Sequence, residues 1–439
     1  MTPGIPSIPI SWQDAEPLLA ALDGYGPSGS QINRTNWVGA ADTAYNSGPA
    51  PGAVVSMSNV MEDKTTWLWD AIGIINGTSQ DEVIVVGNHR DAWIIGGAAD
   101  PNSGTAVMVE LSKAFNALLQ TGWRPRRTIV LASWDGEEYG LVGSTEWLEE
   151  YIPWLVKSNV AYLNIDVAVS GSAPSLSATP DLHEVALETM KKVAWPYRYT
   201  NASAALTNVT LYDVWYQLEK GEVGVLGSGS DYTSFLHNGI SSLDCGADAG
   251  TQDPVYHYHS NYDSFHWMNT YGDPEFLYHK GMGQFLSLLL YHMADDEIIP
   301  FNVVNYGIQM TKYLGQLEGT IKAANATLDI TELISAVETF NASAAAFTEY
   351  KASATSAEAI NDVNARLRDF SRGFVSQGGL PTREFYKHVV FAPGLDTGYA
   401  PVVWPGVWEA VEAGNLTLAA EWVGKSSRGV LAAAAVLSR

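Results

Sequence analysis

The chain has 439 residues, of which 46% are hydrophobic and 16% charged, a composition typical of a folded protein long enough for two or three domains. Its 48 acidic residues against 24 basic ones give a formal net charge of −24. This balance disfavours nucleic acid and anionic membrane surfaces as partners, because both are bound through clustered lysine and arginine. A single cysteine, Cys245, excludes a framework of internal disulfides.

The sequence of the first 75 residues predicts little regular structure. A proline-rich opening leads into an amphipathic segment at which Ser11 can cap a helix. Residues 24–52 are rich in glycine, serine, asparagine and proline, which indicates loop. Two stretches with strand-like composition follow, 54–60 and 67–75.

From residue 83 onward the predicted strands and helices alternate. The β-branched run 83–86 is typical of a buried parallel strand, and a helical pattern follows over 105–120. The later units are strand 128–132, helix 139–152, strand 160–165, helix 181–193, strand 223–226, helix 231–237 and strand 240–245. Alternation of this kind predicts an α/β fold class with right-handed crossovers and a mostly parallel mixed sheet flanked by helices.

After about residue 300 the pattern becomes helical. Periodicity of the helical kind recurs in 304–324, 330–352, 357–374 and 413–437. The sequence therefore predicts two domains, an α/β domain over 1–300 and a C-terminal helical bundle over 301–439.

Four predicted strand ends in the α/β domain carry side chains of the types that bind zinc. These are His89 with Asp100, the pair Glu137-Glu138, Asp166, and His259. Each group alone has an ordinary structural interpretation, such as a helix start for the glutamate pair. Because the carboxyl ends of parallel strands meet at one edge of a sheet, the four groups together favour a metal site.

Five ligands are too many for one catalytic zinc, so we expect two ions with Asp100 as a bridge. One ion would be held by His89, Asp100 and Asp166, and the other by His259, Asp100 and Glu138. Two ions about 3.5–4 Å apart can share a water or hydroxide.

Glu137 is the expected general base, since it adjoins the ligand Glu138 and its side chain diverges from it. The reaction that this arrangement predicts is hydrolysis of a peptide or amide bond. His257 and His266 lie near His259 in the sequence and are weaker alternatives to it as the ligand.

Several long motifs resemble the glutamate carboxypeptidase II family, whose relatives include the N-acetylated-α-linked acidic dipeptidases. They are HRDAW followed by GGAADPNSG, GWRPRRTIVLASWDGEEYGLVGSTEWLEE, VAYLNID, LGSGSDYTSFL, YHYHS and GLPTREFYKHVVFAP. The resemblance implies a peptidase domain of the zinc exopeptidase fold, with two zinc ions per chain, and a helical dimerisation domain like that of the transferrin receptor. By position it implies the same five zinc ligands, Glu137 as proton shuttle, and substrate contacts at Tyr258, Tyr399, Gly229 and Ser230.

The chain departs from the family pattern where acidic substrates are recognised. An arginine-containing stretch of the family is replaced here by Leu243, Asp244, Cys245 and Gly246, and a lysine is replaced by Gly398. Loss of these donors removes charge-assisted recognition of carboxylates. We therefore expect peptidase chemistry without a strict preference for acidic dipeptides.

Glycosylation sequons favour a secretory protein. They occur at Asn33, Asn76, Asn201, Asn208, Asn325, Asn341 and Asn415. Family members carry an N-terminal membrane anchor and an apical domain before the region that matches this chain, and we expect both to be missing here. A membrane partner is expected only through that anchor.

The leading hypothesis is a dizinc exopeptidase that acts on short peptides, resembles glutamate carboxypeptidase and works as a homodimer through the helical domain. One alternative is an aminopeptidase with the same metal site. A second alternative, from a different class, is a non-catalytic receptor or scaffold that keeps the fold for dimerisation.

Overall fold

The computed structural model describes residues 4–32, 37–62, 64–196 and 209–439. The chain divides into two compact units, Met1–Trp67 and Leu68–Arg439. Three of the sequons, at Asn33, Asn201 and Asn208, lie outside the described residues.

The first unit contains helix α1, Trp12–Ala20, and a short 3-10 turn, Gly29–Ile32. Ser11 caps α1 as predicted, because its hydroxyl accepts a hydrogen bond from the backbone N–H of Asp14 at 3.1 Å. The prediction of a strand over 54–60 is wrong. This stretch is largely exposed and forms no ladder with any described strand, so its β-branched residues have no partner on which to pack.

The second unit is built on a six-stranded mixed sheet. Its strands are β1 Ala71–Ile75, β2 Ser79–His89, β3 Arg127–Trp134, β4 Asn159–Asn164, β5 Ala173–Ala178 and β6 Ser241–Asp248. The spatial order is β1-β3-β2-β4-β6-β5, in which the four central strands are parallel and the two edge strands are antiparallel to their neighbours. The predicted α/β fold class is confirmed.

Helices cover this sheet and continue to the C-terminus. They are α2 Asn102–Gln120, α3 Val142–Ser158, α4 His183–Met190, α5 Leu211–Glu219, α6 Tyr232–Leu236, α7 Phe265–Trp267, α8 Leu277–Asp295, α9 Val303–Ala323, α10 Thr331–Ser353, α11 Ala357–Asp369, α12 Pro405–Glu412 and α13 Leu416–Leu437. The residues at positions 83–86 of β2 are fully buried, as expected for a strand with both faces covered. A small hairpin, β7 Phe391–Pro393 and β8 Pro401–Val403, lies between α11 and α12 in the chain.

The sequence was misleading at one edge of the sheet. The predicted strand 223–226 forms only an isolated bridge, between Gly224 and Ser177. The edge position beside β6 belongs instead to β5, whose composition of alanine, proline and serine gives little strand signal. Helix α5 was also not predicted, although a capping box formed by Thr210 and Asp213 marks its start.

The helical region after residue 300 is confirmed, with changes at the helix ends. The segment 357–374 is helix α11 followed by the 3-10 turn Phe370–Phe374, and the segment 413–437 is the single helix α13, which Asn415 caps. An aromatic cluster lies in the core of this region, in which the ring of Tyr306 stacks on Phe374 at 4.8 Å. The domain boundary at residue 300 stays a prediction. Within the described residues, the helices are too short or too polar for any of them to span a bilayer.

Buried histidines connect the helices to the sheet and the hairpin. His388 is 1% exposed, and its Nδ1 accepts backbone N–H groups of Val390 and Phe391. Burial lowers the pKa of His388 to about 3 and that of His183 to about 4, and it holds the pKa of His237 well below its usual value. These side chains are therefore neutral in the folded protein near neutral pH.

We expect the variant His388→Gln to lose less stability than the wild type when the pH falls from 7 to 5. The unfolded chain protonates His388 below its ordinary pKa of about 6.5, whereas the folded protein does not, so acidification favours unfolding by about 2 kcal/mol at pH 5 through this residue. Urea denaturation at both pH values measures the difference. An equal pH dependence of stability in His388→Gln and the wild type would contradict the assignment.

Candidate metal centre

The predicted metal ligands lie together at the carboxyl edge of the parallel strands. His89 is the last residue of β2, Glu137 and Glu138 follow β3, and Asp166 follows β4. His259 comes from the loop between β6 and α7, where it adopts a left-handed backbone φ of 51°. Such a conformation is costly for a residue other than glycine and often marks a functional site.

Asp100 lies between the two histidines. Its Oδ1 is 3.3 Å from Nε2 of His89, and its Oδ2 is 3.2 Å from Nε2 of His259. On the first side, Oδ1 of Asp166 is 2.7 Å from Nε2 of His89. On the second side, Oε2 of Glu138 is 3.0 Å from Nε2 of His259. The five side chains thus form two groups that share one carboxylate, which is the arrangement expected of a bridged metal pair.

The electrostatics of this cluster indicate a surplus of negative charge. Burial raises the pKa of Glu137 to about 10, and the charge of Asp166 adds to this effect. Burial and the charge of Asp100 raise the pKa of Glu138 to about 7. Burial alone would lower the pKa of His89, but Asp166 and Asp100 outweigh it and hold that pKa well above its usual value. A divalent cation would relieve this repulsion, so the residues present fit a metal.

The chemistry of the ligands points to zinc. Single donor atoms of His89, Asp100 and Glu138 all lie within 4.8 Å of one another. Imidazole nitrogens combined with carboxylate oxygens are a typical zinc ligand set. The alternatives to His259 as the ligand, His257 and His266, contact Tyr262 and Tyr271 with their rings instead.

Asp91 is a site residue that sequence reasoning missed. Its carboxylate accepts the backbone N–H groups of Glu137 at 3.1 Å and Glu138 at 3.2 Å, and so fixes the turn that carries both glutamates. Its backbone carbonyl accepts a hydrogen bond from Nδ1 of His89 at 2.8 Å. This bond leaves Nε2 of His89 available to a metal. In the sequence, only the position of Asp91, two residues after the predicted ligand His89, could have indicated this role.

Asp263 was also missed, and it connects the two loops that carry Asp100 and His259. Its carboxylate accepts the N–H groups of Ala99 at 2.8 Å and Asp100 at 3.1 Å. The backbone of Gly96 passes so close that an added Cβ would lie 2.4 Å from the carbonyl oxygen of Asp263. Only glycine fits there, because the φ of Gly96 is also +116°.

A chain of hydrogen bonds connects Asn164 through Ser230 to Asp166. The Ser230 hydroxyl donates a hydrogen bond to Oδ2 of Asp166 at 2.5 Å. Nδ2 of Asn164 donates to Oγ of Ser230 at 2.8 Å and to Oδ1 of Asp244 at 2.9 Å. Ser230 is only 3% exposed, and its hydroxyl is directed to a predicted metal ligand. Its role as a substrate contact stays a prediction.

Two tyrosines lie beside His259, and their assignment as substrate contacts stays a prediction. The ring of Tyr258 stacks on His259 at 3.6 Å, and its hydroxyl is hydrogen-bonded to Tyr399. The ring of Tyr399 covers Gly229, where an added Cβ would lie 2.7 Å from it. Tyr258 is 54% and Tyr399 61% exposed, so both rings remain available to a ligand.

Comparison with known proteins finds two protein families that parts of this chain resemble. The model of peptidase family M28 matches residues 70–272, which include all five predicted ligands. The model of the transferrin receptor-like dimerisation domain matches residues 328–438.

Several individual proteins are similar to this chain. A "Probable glutamate carboxypeptidase" of Arthroderma benhamiae is 61% identical over 98% of this chain and 59% of its own length. "Aminopeptidase NAALADL1" of Rattus norvegicus is 32% identical over 89% of this chain and 55% of its own length. Among solved structures, a zinc aminopeptidase of Bacillus subtilis superposes with a TM-score of 0.38 at 19% identity, over 52% of this chain and 50% of that one. The chain spans a little over half the length of these curated relatives.

The segment that carries the candidate metal centre is therefore similar to peptidase family M28, and the segment after it to a dimerisation domain. Over most of its length, the chain is similar to relatives named glutamate carboxypeptidase and aminopeptidase NAALADL1.

Replacing Asp263 with alanine should lower the affinity for zinc by about 10–100-fold, because the loop carrying Asp100 loses both of its hydrogen bonds to that carboxylate. Asp263→Asn keeps one acceptor oxygen and should lose less. Competition with a fluorescent zinc chelator measures the affinity.

Asp253→Ala is the matched control. Asp253 accepts the N–H groups of Ser172 and Gly250 in a different loop, so its loss should reduce stability and leave zinc affinity unchanged. Equal zinc affinities of Asp263→Ala and the control would contradict the role assigned to Asp263.

Proposed function

We propose that this protein is a co-catalytic dizinc exopeptidase that hydrolyses short peptides. The observation that carries the proposal is the position of Asp100, whose two carboxylate oxygens face the two histidines His89 and His259. His89 and Asp166 would hold one zinc ion, and His259 and Glu138 the other, with Asp100 shared. When bound, such a pair supplies a water activated near neutral pH and an electrophile for the peptide carbonyl.

Glu137 is suited to move the proton in this reaction. Its Oε2 lies 3.9 Å from Nε2 of His89. The carboxylate of Glu137 is therefore near the predicted ligands but further from His89 than the carboxylates of Asp100 and Asp166 are. The residue is 9% exposed, and Asp91 fixes its backbone. Once a bound cation offsets the burial and repulsion that raise the pKa of Glu137, a carboxylate held there can accept a proton from water and deliver it to the leaving amine.

Whether the protein cleaves a peptide at its carboxyl end or at its amino end depends on groups other than the metal ligands. The Arthroderma benhamiae relative is named a carboxypeptidase and the rat relative an aminopeptidase. The resemblance favours a protein like glutamate carboxypeptidase, with relaxed or altered specificity because Asp244 and Gly398 replace cationic residues. An aminopeptidase is the second candidate. A scaffold without catalysis is disfavoured by the complete ligand set.

We further propose a homodimer formed through the helical region, supported by the match of residues 328–438 to a dimerisation domain. We also propose a place in the secretory pathway, supported by the sequons.

Purified protein should bind two zinc ions per chain, and Glu137→Gln should retain both while losing at least about a hundredfold in kcat, since removal of a general base typically costs that much. Metal analysis and hydrolysis of neutral dipeptides give the two readouts. Glu138→Gln is the matched neighbour, and it should lose zinc because it changes a ligand. Protein that folds but takes up no zinc would refute the proposal and favour the scaffold.

When the chain is expressed in a secretory host, we expect some sequons to be glycosylated and others to remain unmodified. Asn325 is exposed at the end of α9 and should be modified. Asn341 lies within α10, where its amide contacts Thr311 and packs against Gly307, so it should remain free. Peptide mapping after enzymatic deglycosylation gives the occupancy of each site. Full modification of Asn341 together with an unmodified Asn325 would contradict this assignment.

A further inference from the structure

We propose that Trp93 is a positioning residue for one half of the candidate metal centre, the half that consists of Glu138 and His259. The inference rests on the proposed dizinc function and goes beyond it, because it assigns the hold on one particular ion to a residue outside the ligand set. Trp93 lies in the loop between β2 and α2 that also carries Asp100. Loss of its ring should release the ion of that half and leave the other ion in place.

The backbone N–H of Trp93 fixes the carboxylate of Glu138. It donates a hydrogen bond to Oε1 of Glu138 at 2.9 Å. The other carboxylate oxygen, Oε2, lies 3.0 Å from Nε2 of His259. Because Oε1 already accepts a hydrogen bond, Oε2 is the oxygen that remains for a cation beside His259. Trp93 therefore determines which oxygen of this predicted ligand is available to the metal.

The ring of Trp93 fixes the imidazole of His259. The two ring centroids are 5.7 Å apart, and the ring planes are nearly parallel, with 20° between them. Tyr258 stacks on the same imidazole at 3.6 Å, but it is the chain neighbour of His259 and moves with the same loop. Trp93 belongs to a different loop, so its contact holds the imidazole in place relative to Glu138.

The same ring also contacts the turn that carries Glu138. Its centroid lies 5.9 Å from that of Tyr139, the residue that follows Glu138. The side chain of Trp93 thus connects the turn after β3 with the loop after β6, two segments far apart in the sequence. A small pocket adjoins this contact, and its lining includes Trp93 and His259. This space allows the imidazole to turn away when the tryptophan ring is removed.

The other half of the centre is held by different groups. The side chain of His89 ends strand β2 and is 1% exposed, and its Nδ1 donates a hydrogen bond to the carbonyl of Asp91. Asp166 accepts a hydrogen bond from Ser230. The side chain of His259 is 25% exposed and lies on a loop, with a left-handed backbone conformation. The half that contains His259 therefore depends more on side-chain packing than the half at the strand ends.

A purely structural role for Trp93 predicts a different result. If the ring served only to stabilise its loop, its loss would weaken the binding of both ions alike. The side chain is 47% exposed, so its replacement leaves no cavity in the core and the fold should be retained. Because the N–H that binds Glu138 belongs to the backbone, a change of side chain tests the ring alone.

The experiment measures zinc binding to the metal-free protein in competition with a fluorescent chelator. The wild type should bind two ions per chain. In Trp93→Ala one ion should stay within about threefold of its wild-type affinity and the second should weaken by about 10–100-fold, the usual effect of losing support to a ligand. Trp93→Phe keeps an aromatic face beside His259 and should recover most of the lost affinity.

Further variants identify the half that is affected. His259→Ala removes a ligand of that half and should leave one ion bound. The affinity for this remaining ion should be the same, within about twofold, when Trp93→Ala is added, because the two changes act on the same half. Trp154→Ala is the matched control, since Trp154 is a tryptophan of similar exposure, 38%, on helix α3. It should bind both ions like the wild type.

Three results overturn the inference. They are two ions bound by Trp93→Ala as tightly as by the wild type, an equal weakening of both ions, and a further loss of affinity in the double variant. Cleavage of neutral dipeptides by the wild type would leave the proposed function standing in each case.

The proposed function can also fail separately. Wild-type protein that binds two zinc ions but cleaves no peptide refutes that function, and selective loss of one ion in Trp93→Ala still supports the inference. Wild-type protein that folds but binds fewer than two zinc ions refutes both.

Discussion

The repulsion among closely packed carboxylates is the constraint around which this structure is organised. Asp100, Asp166, Glu137 and Glu138 surround two imidazoles at one edge of the sheet, and burial makes their mutual repulsion stronger than it would be in water. Such a cluster is unfavourable unless a cation joins it. The surrounding loops must therefore hold together side chains that would otherwise move apart. Backbone hydrogen bonds at this edge of the fold provide that restraint.

Two aspartates that bind no metal provide much of that restraint. Asp91 fixes the turn of the two glutamates, and Asp263 ties the loop of Asp100 to the loop of His259. Both use carboxylate oxygens to satisfy backbone N–H groups, an interaction that is strong because one partner is charged. The predicted ligands are thus positioned mainly by other acidic residues, which add further negative charge to the same region.

The sequence predicts the site residues whose roles follow from their chemical type. It does not predict residues whose roles depend on which groups their side chains face in the fold. His89, Asp166 and the glutamate pair could be predicted because histidine and carboxylates follow apolar strands. Asp91 and Asp263 could not, since their function depends on which backbone N–H groups face them. The edge strand β5 was missed because alanine and serine fit many conformations, and its place is set by pairing with β6.

The contact between Asp244 and Asn164 illustrates the same limit. It exists only because β4 and β6 pair in one register, which brings residues far apart in sequence side by side. A shift by one residue would turn Asp244 to the opposite face of the sheet.

The tie between Asp263 and the Asp100 loop also bears on how the protein matures. His89 and Asp100 come early in the second unit, whereas His259 and Asp263 come only after β6 has been made. Contacts of such high sequence separation can form only after the later residues have been synthesised. While the chain is being synthesised, the group of His89, Asp100 and Asp166 can therefore come together before the group that contains His259 exists.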